Sequence, residues 1–199
     1  MNKKYWYGLI PVTAFMLLMF QQTPAPAQGQ SQGNSGESEV QRGFQIAPVT
    51  LNLAGKNRAL VGLGSYLVNG LMDCTGCHSV NLYLPGGDPF LGQPTAINTT
   101  TYLSGGAPFG PFISRNLTPD GHGHPAGLTL DQFRQVMRIG TDFKAIPPHV
   151  PSNPGLLQVM PWPAYRHATD QAIDAIYEYL RAIPCIEGGP GTTPNRCVP

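Results

Sequence analysis

Apolar positions recur with a regular period in only three stretches of this chain, and each predicts a helix. From about Asn57 to Asn69, Leu60, Leu63, Gly64 and Leu67 lie at helical spacing. Gly62 and Gly64 cost helix propensity in that run, which points to a close crossing by another helix, with a merely weak helix as the alternative. The second helix starts at Thr129, an N-cap whose partner Gln132, three residues on, completes a capping box. Leu130, Phe133, Val136 and Met137 form its apolar face, and Gly140 is its stop. Thr169 caps the third, which runs to about Ala182. Its stripe is Ile173, Ile176, Tyr177 and Leu180, and Pro184 ends it.

The intervening segments lack such periodicity. Residues 79–113 are rich in glycine and proline and predict a long ordered loop, of the kind that tends to be functional. Asn116–Gly121 reads as a turn, extended by His122-Gly123-His124-Pro125. Six prolines between Pro147 and Pro163 predict a second extended loop. Residues 28–48 are polar and of low complexity, and read as a flexible linker. On this reading the folded part begins between Pro48 and Lys56. The N-terminal stretch has Lys3 and Lys4, then mostly apolar residues from Tyr5 to Phe20, then Ala25-Pro26-Ala27. That is the pattern of a cleaved export signal over residues 1–27. An uncleaved membrane anchor is the alternative, disfavoured by Pro11 and the short apolar span, so no integral membrane span is expected in the mature chain.

Composition narrows the function classes. The chain has 199 residues, a length that suits one domain with appendages. Its net charge is +1, and removal of Lys3 and Lys4 would leave about −1. No basic face of the kind that binds nucleic acid is expected. Charged residues make up 12% of the chain, so docking to partners would rely on apolar contact more than on electrostatic steering.

The candidate chemistry sits in Asp73-Cys74-Thr75-Gly76-Cys77-His78. Two cysteines three positions apart, followed at once by histidine, form the attachment motif of a c-type haem. Cys74 and Cys77 would bond the two vinyl groups, and His78 would bind the iron. One motif implies one covalent haem. A zinc site and a redox dithiol are the rival readings of Cys-x-x-Cys. Zinc needs a second ligand pair, and the other cysteines, Cys185 and Cys197, are not closely spaced. A dithiol site of the thioredoxin type would need a strand-then-helix flank, which is missing. Export places the chain in an oxidising compartment, the periplasm. There Cys185 and Cys197 are expected to pair and to close the tail, 185–199, for about 3 kcal/mol in the chain-entropy model.

With these features on the page, the chain resembles a class I c-type cytochrome. The likeness implies an all-α fold over residues 49–184, with three to four short helices and long loops wrapped around one haem. That family crosses its first and last helices through a glycine and an aromatic residue on one and an aliphatic and an aromatic residue on the other. Gly62 and Tyr66, with Ile176 and Tyr179, match that pattern. A narrower resemblance runs through Gly86–Phe90, Pro108–Gly110, Ile113–Asp120, Gly127–Thr129 with Phe133, Arg138–Gly140, Met160–Tyr165 and Ile176–Leu180. These segments are similar to cytochrome domains of bacterial membrane-bound alcohol and sugar dehydrogenases.

The resemblance implies a sixth iron ligand from a methionine before the last helix, and Met160 occupies that place. Met72 lies too near the motif to reach the other face, and Met137 sits on an apolar helix stripe. His122, His124, His149 and His167 read as surface histidines. By the same resemblance, Pro85 is a candidate carbonyl partner for the His78 imidazole. Trp162, Tyr165 and Arg115 are candidates to line the pocket or approach a propionate. The implied function is electron transfer, not catalysis, between a dehydrogenase as donor and an oxidase or reductase as acceptor. A dehydrogenase subunit is one alternative, and a haem enzyme or gas sensor with an open sixth position is another.

Overall fold

Three helices pack in series to make one side of the molecule: α1 (Gly33–Ile46), α2 (Arg58–Tyr66) and α6 (Asp170–Ala182). The computed structural model describes residues 33–143, 155–188 and 195–199. All of these belong to one compact unit, Gln32–Pro199. In the chain between α2 and α6 come α3 (Cys74–His78), α4 (Leu130–Ile139) and α5 (Trp162–Tyr165). A two-stranded antiparallel hairpin pairs β1 (Pro108–Phe109) with β2 (Phe112–Ile113). The described chain is therefore mostly helical with long loops, and richer than the all-α expectation by this hairpin and by extra short helices.

The linker reading of residues 28–48 is corrected where the chain is described. Residues 33–46 form α1, and Val40, Gly43 and Phe44 sit on α2. The spacing i, i+3, i+4 puts them on one face, but two apolar side chains in a polar run gave too weak a signal. Contact with α2 supplies what local propensity does not. Arg58 also lays its guanidinium over the Phe44 ring, 4.3 Å from the centroid. The export-signal segment, residues 1–27, lies outside the described residues.

α2 is capped as its sequence suggests, with the Asn57 side chain accepting from the amides of Ala59 and Leu60. It is covered on two faces, so Val61, Ser65 and Val68 are buried more deeply than the predicted stripe of Leu60, Leu63 and Leu67. The two glycines separate by partner. A Cβ on Gly62 would meet Val40 and Phe44 of α1 at 2.6–2.8 Å. A Cβ on Gly64 would lie 1.9 Å from the Ala175 carbonyl oxygen of α6 and 2.7 Å from the Tyr179 Cβ. The glycine that meets the last helix is thus Gly64, and Gly62 meets α1. The expected pairing of Gly62 with Ile176 and Tyr179 is corrected by two residues, to Gly64.

α4 and α6 match their sequence signals. Thr129 and Gln132 form the capping box, and Gly140 ends α4 in the left-handed region at φ 71°. Thr169 caps α6 through the Ala172 amide, and Ile183 leaves the helix in extended geometry before Pro184. Ile173, Ile176, Tyr179 and Leu180 of α6 are almost fully buried with Val61 and Val68. Each such side chain contributes roughly 1.5–3 kcal/mol. Cys185 and Cys197 form the expected disulfide. Among the described residues no helix is long and apolar enough to cross a membrane.

Candidate functional site

The chain leaves α2 through a single π-helical turn, Leu67–Leu71, and then enters α3. Asp73, in the left-handed region at φ 48°, caps α3 by accepting from the Gly76 amide at 3.2 Å. A Cβ on Gly76 would stand 2.7 Å from that carboxylate, which would have to shift to make room. This turn presents Cys74, Cys77 and His78 to a cavity of about 340 Å³. Both thiols are free.

His78 is fixed from two directions. Its carbonyl accepts from the Gly105 amide at 2.7 Å. Its Nδ1 lies 2.7 Å from the Arg115 carbonyl oxygen. A carbonyl only accepts, so Nδ1 carries the proton and Nε2 keeps its lone pair. Burial holds the imidazole below its ordinary pKa; the Arg115 carbonyl works against this and the Arg115 charge adds to it. The acceptor is therefore Arg115, not Pro85. Gly105 makes this possible. It sits at φ 76°, and a Cβ there would lie 2.6 Å from the backbone of Arg115 and Asn116. No sequence signal marks a backbone carbonyl brought in from 37 residues away.

The rest of the lining comes from loops, the hairpin, the π-helical turn, α4, α5 and α6. Phe109 and Pro111–Leu117 contribute, as do Leu128, Val136, Thr141, Leu157 and Met160. Of the long loop 79–113, only its hairpin end reaches the cavity. Met160 sits just before α5, where its carbonyl accepts from the Trp162 amide at 2.8 Å. Met137 also lines the cavity while packing in the core, at 3% exposed. Met72 does not line it; its carbonyl accepts from the Tyr165 hydroxyl at 2.8 Å. That bond ties α5 to the turn before α3.

Tyr165 and Arg115 line the cavity as expected, but Trp162 does not. Its indole packs over Gly140, where a Cβ would lie 2.4 Å away, and donates to the Leu157 carbonyl. Arg115 is paired with Asp142 through two contacts of 2.8 Å. His122, His124 and His167 are exposed and outside the lining. His149 lies outside the described residues.

The donor set can be tested against the rival readings. Cys185 and Cys197 are bonded to each other, so they cannot complete a zinc site. Among the described residues no group of three or more His, Cys, Asp and Glu side chains is placed to hold a metal ion. Burial pushes the Cys74 thiol up to about 12, and the charges of Asp73 and Cys77 add to this. Cys77 is raised for the same leading reason. A redox dithiol needs the opposite shift. Two neutral thiols, an imidazole with a free Nε2 and a thioether on one apolar cavity do fit haem c.

Among curated proteins, the chain is similar to the gluconate 2-dehydrogenase cytochrome c subunit of Pantoea cypripedii. The two are 32% identical over 124 residues, which make up 62% of this chain and 23% of that protein. The chain thus matches about a quarter of its curated relative. No family model matches, and no solved structure matches.

Proposed function

We propose that this protein carries electrons through one covalently attached c-type haem, held by Cys74 and Cys77, with His78 and Met160 as axial ligands. The observation that carries the proposal is the cavity itself, onto which α3 and the loop before α5 bring both thiols, the imidazole and the thioether. Haem c supplies a one-electron iron couple when bound. The chain supplies the rest. The Arg115 carbonyl orients the imidazole and leaves Nε2 with the lone pair that would bind the iron. The apolar lining from Phe133, Val136, Leu157 and Leu180 would exclude water around the bound group. Two protein ligands would leave no position for a substrate, so the protein acts as a carrier and not as an enzyme by itself.

The relative's name favours a role as the electron-transfer subunit or dedicated partner of a dehydrogenase; an oxidase or reductase is the class of acceptor we propose. The periplasm is the compartment we favour, because the leader-like residues 1–27 and the Cys185–Cys197 disulfide both suit export.

The test is an absorption spectrum of the exported protein, oxidised and reduced, with a haem count. One covalent haem with a sulfur-to-iron band is expected, and Met160→Ala should remove that band and lower the reduction potential. A band that survives the substitution would exclude Met160, and a wild type without covalent haem would overturn the proposal. Rapid carbon monoxide binding by the reduced protein would favour an open sixth position instead. Co-purification with a dehydrogenase catalytic subunit would support the subunit role, and equal reduction of unrelated acceptors by a lone monomer would count against it.

A further inference from the structure

We infer that Arg196, carried into the cavity by the disulfide-closed tail, holds a carboxylate of the bound group; on the haem reading above, on which this rests, that carboxylate is a propionate. Arg196 is only 8% exposed and shares the cavity lining with Cys74, His78 and Met160. Its Nη2 donates to the Thr118 carbonyl at 2.5 Å. Among the described residues its Nε is buried and has no hydrogen-bond partner. An arginine stays charged in a protein, and a buried charge without a counter-ion is unfavourable.

The neighbouring acids Asp120 and Glu187 act on Arg196 through their charge, but neither forms an ion pair with it among the described residues. The Glu187 carboxylate accepts from the amides of Arg196 and Cys197, each at 3.1 Å. The Asp120 carboxylate accepts from the amides of His122 and His124. No ion pair among the described residues includes Arg196. Arg115, the other arginine on the lining, has Asp142 as its partner. The guanidinium left to receive an anionic ligand is thus Arg196. The sequence pointed to Arg115 for this task because it stands in the motif-rich segment, whereas Arg196 lies in a tail with no periodic pattern.

The tail is built to hold this side chain in place. Cys197 follows Arg196 directly and bonds to Cys185. The Arg196 carbonyl accepts from the Gly121 amide at 2.9 Å. Upstream, the Ile186 carbonyl accepts from Asn116 Nδ2 at 2.8 Å, and its amide donates to Thr118 Oγ1. The same loop, 116–121, therefore grips the disulfide-closed tail near both of its ends.

The experiment measures reduction potential against pH for the haem-bearing wild type, Arg196→Gln, Arg196→Lys and the double variant Cys185→Ser with Cys197→Ser. Loss of a positive charge near the iron favours the oxidised state, so Arg196→Gln should lower the potential. It should also bring in a pH-dependent region near neutrality, because the carboxylate loses the charge that keeps it ionised. Arg196→Lys should keep most of the wild-type profile, and the double serine variant should shift it in the direction of Arg196→Gln. If Arg196→Gln keeps the wild-type potential and pH profile and loses only thermal stability, Arg196 merely braces Thr118 and this inference is overturned. Should Arg196→Gln not fold, a double serine variant with the wild-type profile would overturn it equally. A wild type without covalent haem would instead overturn the functional reading first.

Discussion

The cavity has two walls, made by different means. On one side the π-helical turn after α2 contributes Val68 and α6 contributes Ile176 and Leu180, and direct backbone contact holds α2 and α6 together. Gly64 lets the Ala175 carbonyl approach to where a methyl group would stand. On the other side Phe109–Leu117 and Leu156–Met160 have little regular structure, and specific hydrogen bonds to backbone carbonyls hold them. His78 to Arg115, Tyr165 to Met72 and Arg196 to Thr118 are the main ones. The helical wall secures stability through packing, and the loop wall sets the orientation of the chemical groups. A substitution on the first should therefore move stability alone, and one on the second should move the site as well.

The strongest test of the helical wall is Gly64→Ala. The new Cβ would fall 1.9 Å from a backbone oxygen, so α2 and α6 would have to separate. The expected cost is about 3 kcal/mol or more, the upper end of the overpacking range. Denaturant unfolding would measure it, and the spectrum of the folded fraction should be unchanged. A loss under about 1 kcal/mol would show that the crossing is looser than its geometry implies.

Gly105→Ala is the matching test of the loop wall. Here a positive φ adds to a clash with the Arg115 backbone. The expected loss is about 2–3 kcal/mol. In contrast to Gly64→Ala, it should also change the site, because the Arg115 carbonyl would move away from His78 Nδ1. A weaker hydrogen bond makes the imidazole a poorer donor to iron, so the reduction potential should rise. An unchanged potential in a folded Gly105→Ala protein would remove the distinction between the two walls.

The same division explains what was legible in the sequence. The helical wall follows periodic rules, so the caps at Thr129 and Thr169, the stop at Gly140 and the buried face of α6 were all readable. The limits were local. Gly62 and Gly64 lie two residues apart, and spacing alone does not say which of them meets α6 and which meets α1. α1 went unread because its partner face is completed by glycine and not by a large side chain. In the site, the motif named Cys74, Cys77 and His78 because covalent attachment demands fixed spacing. The Arg115 carbonyl and the Arg196 guanidinium were not readable, since both depend on loops brought together over long separations.

Tyr102 lies where the two walls meet and makes the smallest but sharpest test. It belongs to the loop after α3, yet its side chain is buried, at 1% exposed, against the helices. Its hydroxyl lies 2.5 Å from Asn69 Oδ1 and 2.7 Å from the Tyr179 hydroxyl. Asn69 Nδ2 donates to the Tyr179 oxygen at 3.1 Å. One proton arrangement satisfies all three groups: Tyr102 donates to Asn69, Asn69 to Tyr179, and Tyr179 to Tyr102. Tyr102→Phe would leave the Asn69 oxygen and the Tyr179 proton unpaired, for an expected loss of about 1–2 kcal/mol. If this ring only joins the loop to the helical wall, the reduction potential and the sulfur-to-iron band should stay at their wild-type values. A shift in either would mean that the Tyr102–Asn69–Tyr179 ring also positions the site, and the two walls would then be one coupled structure.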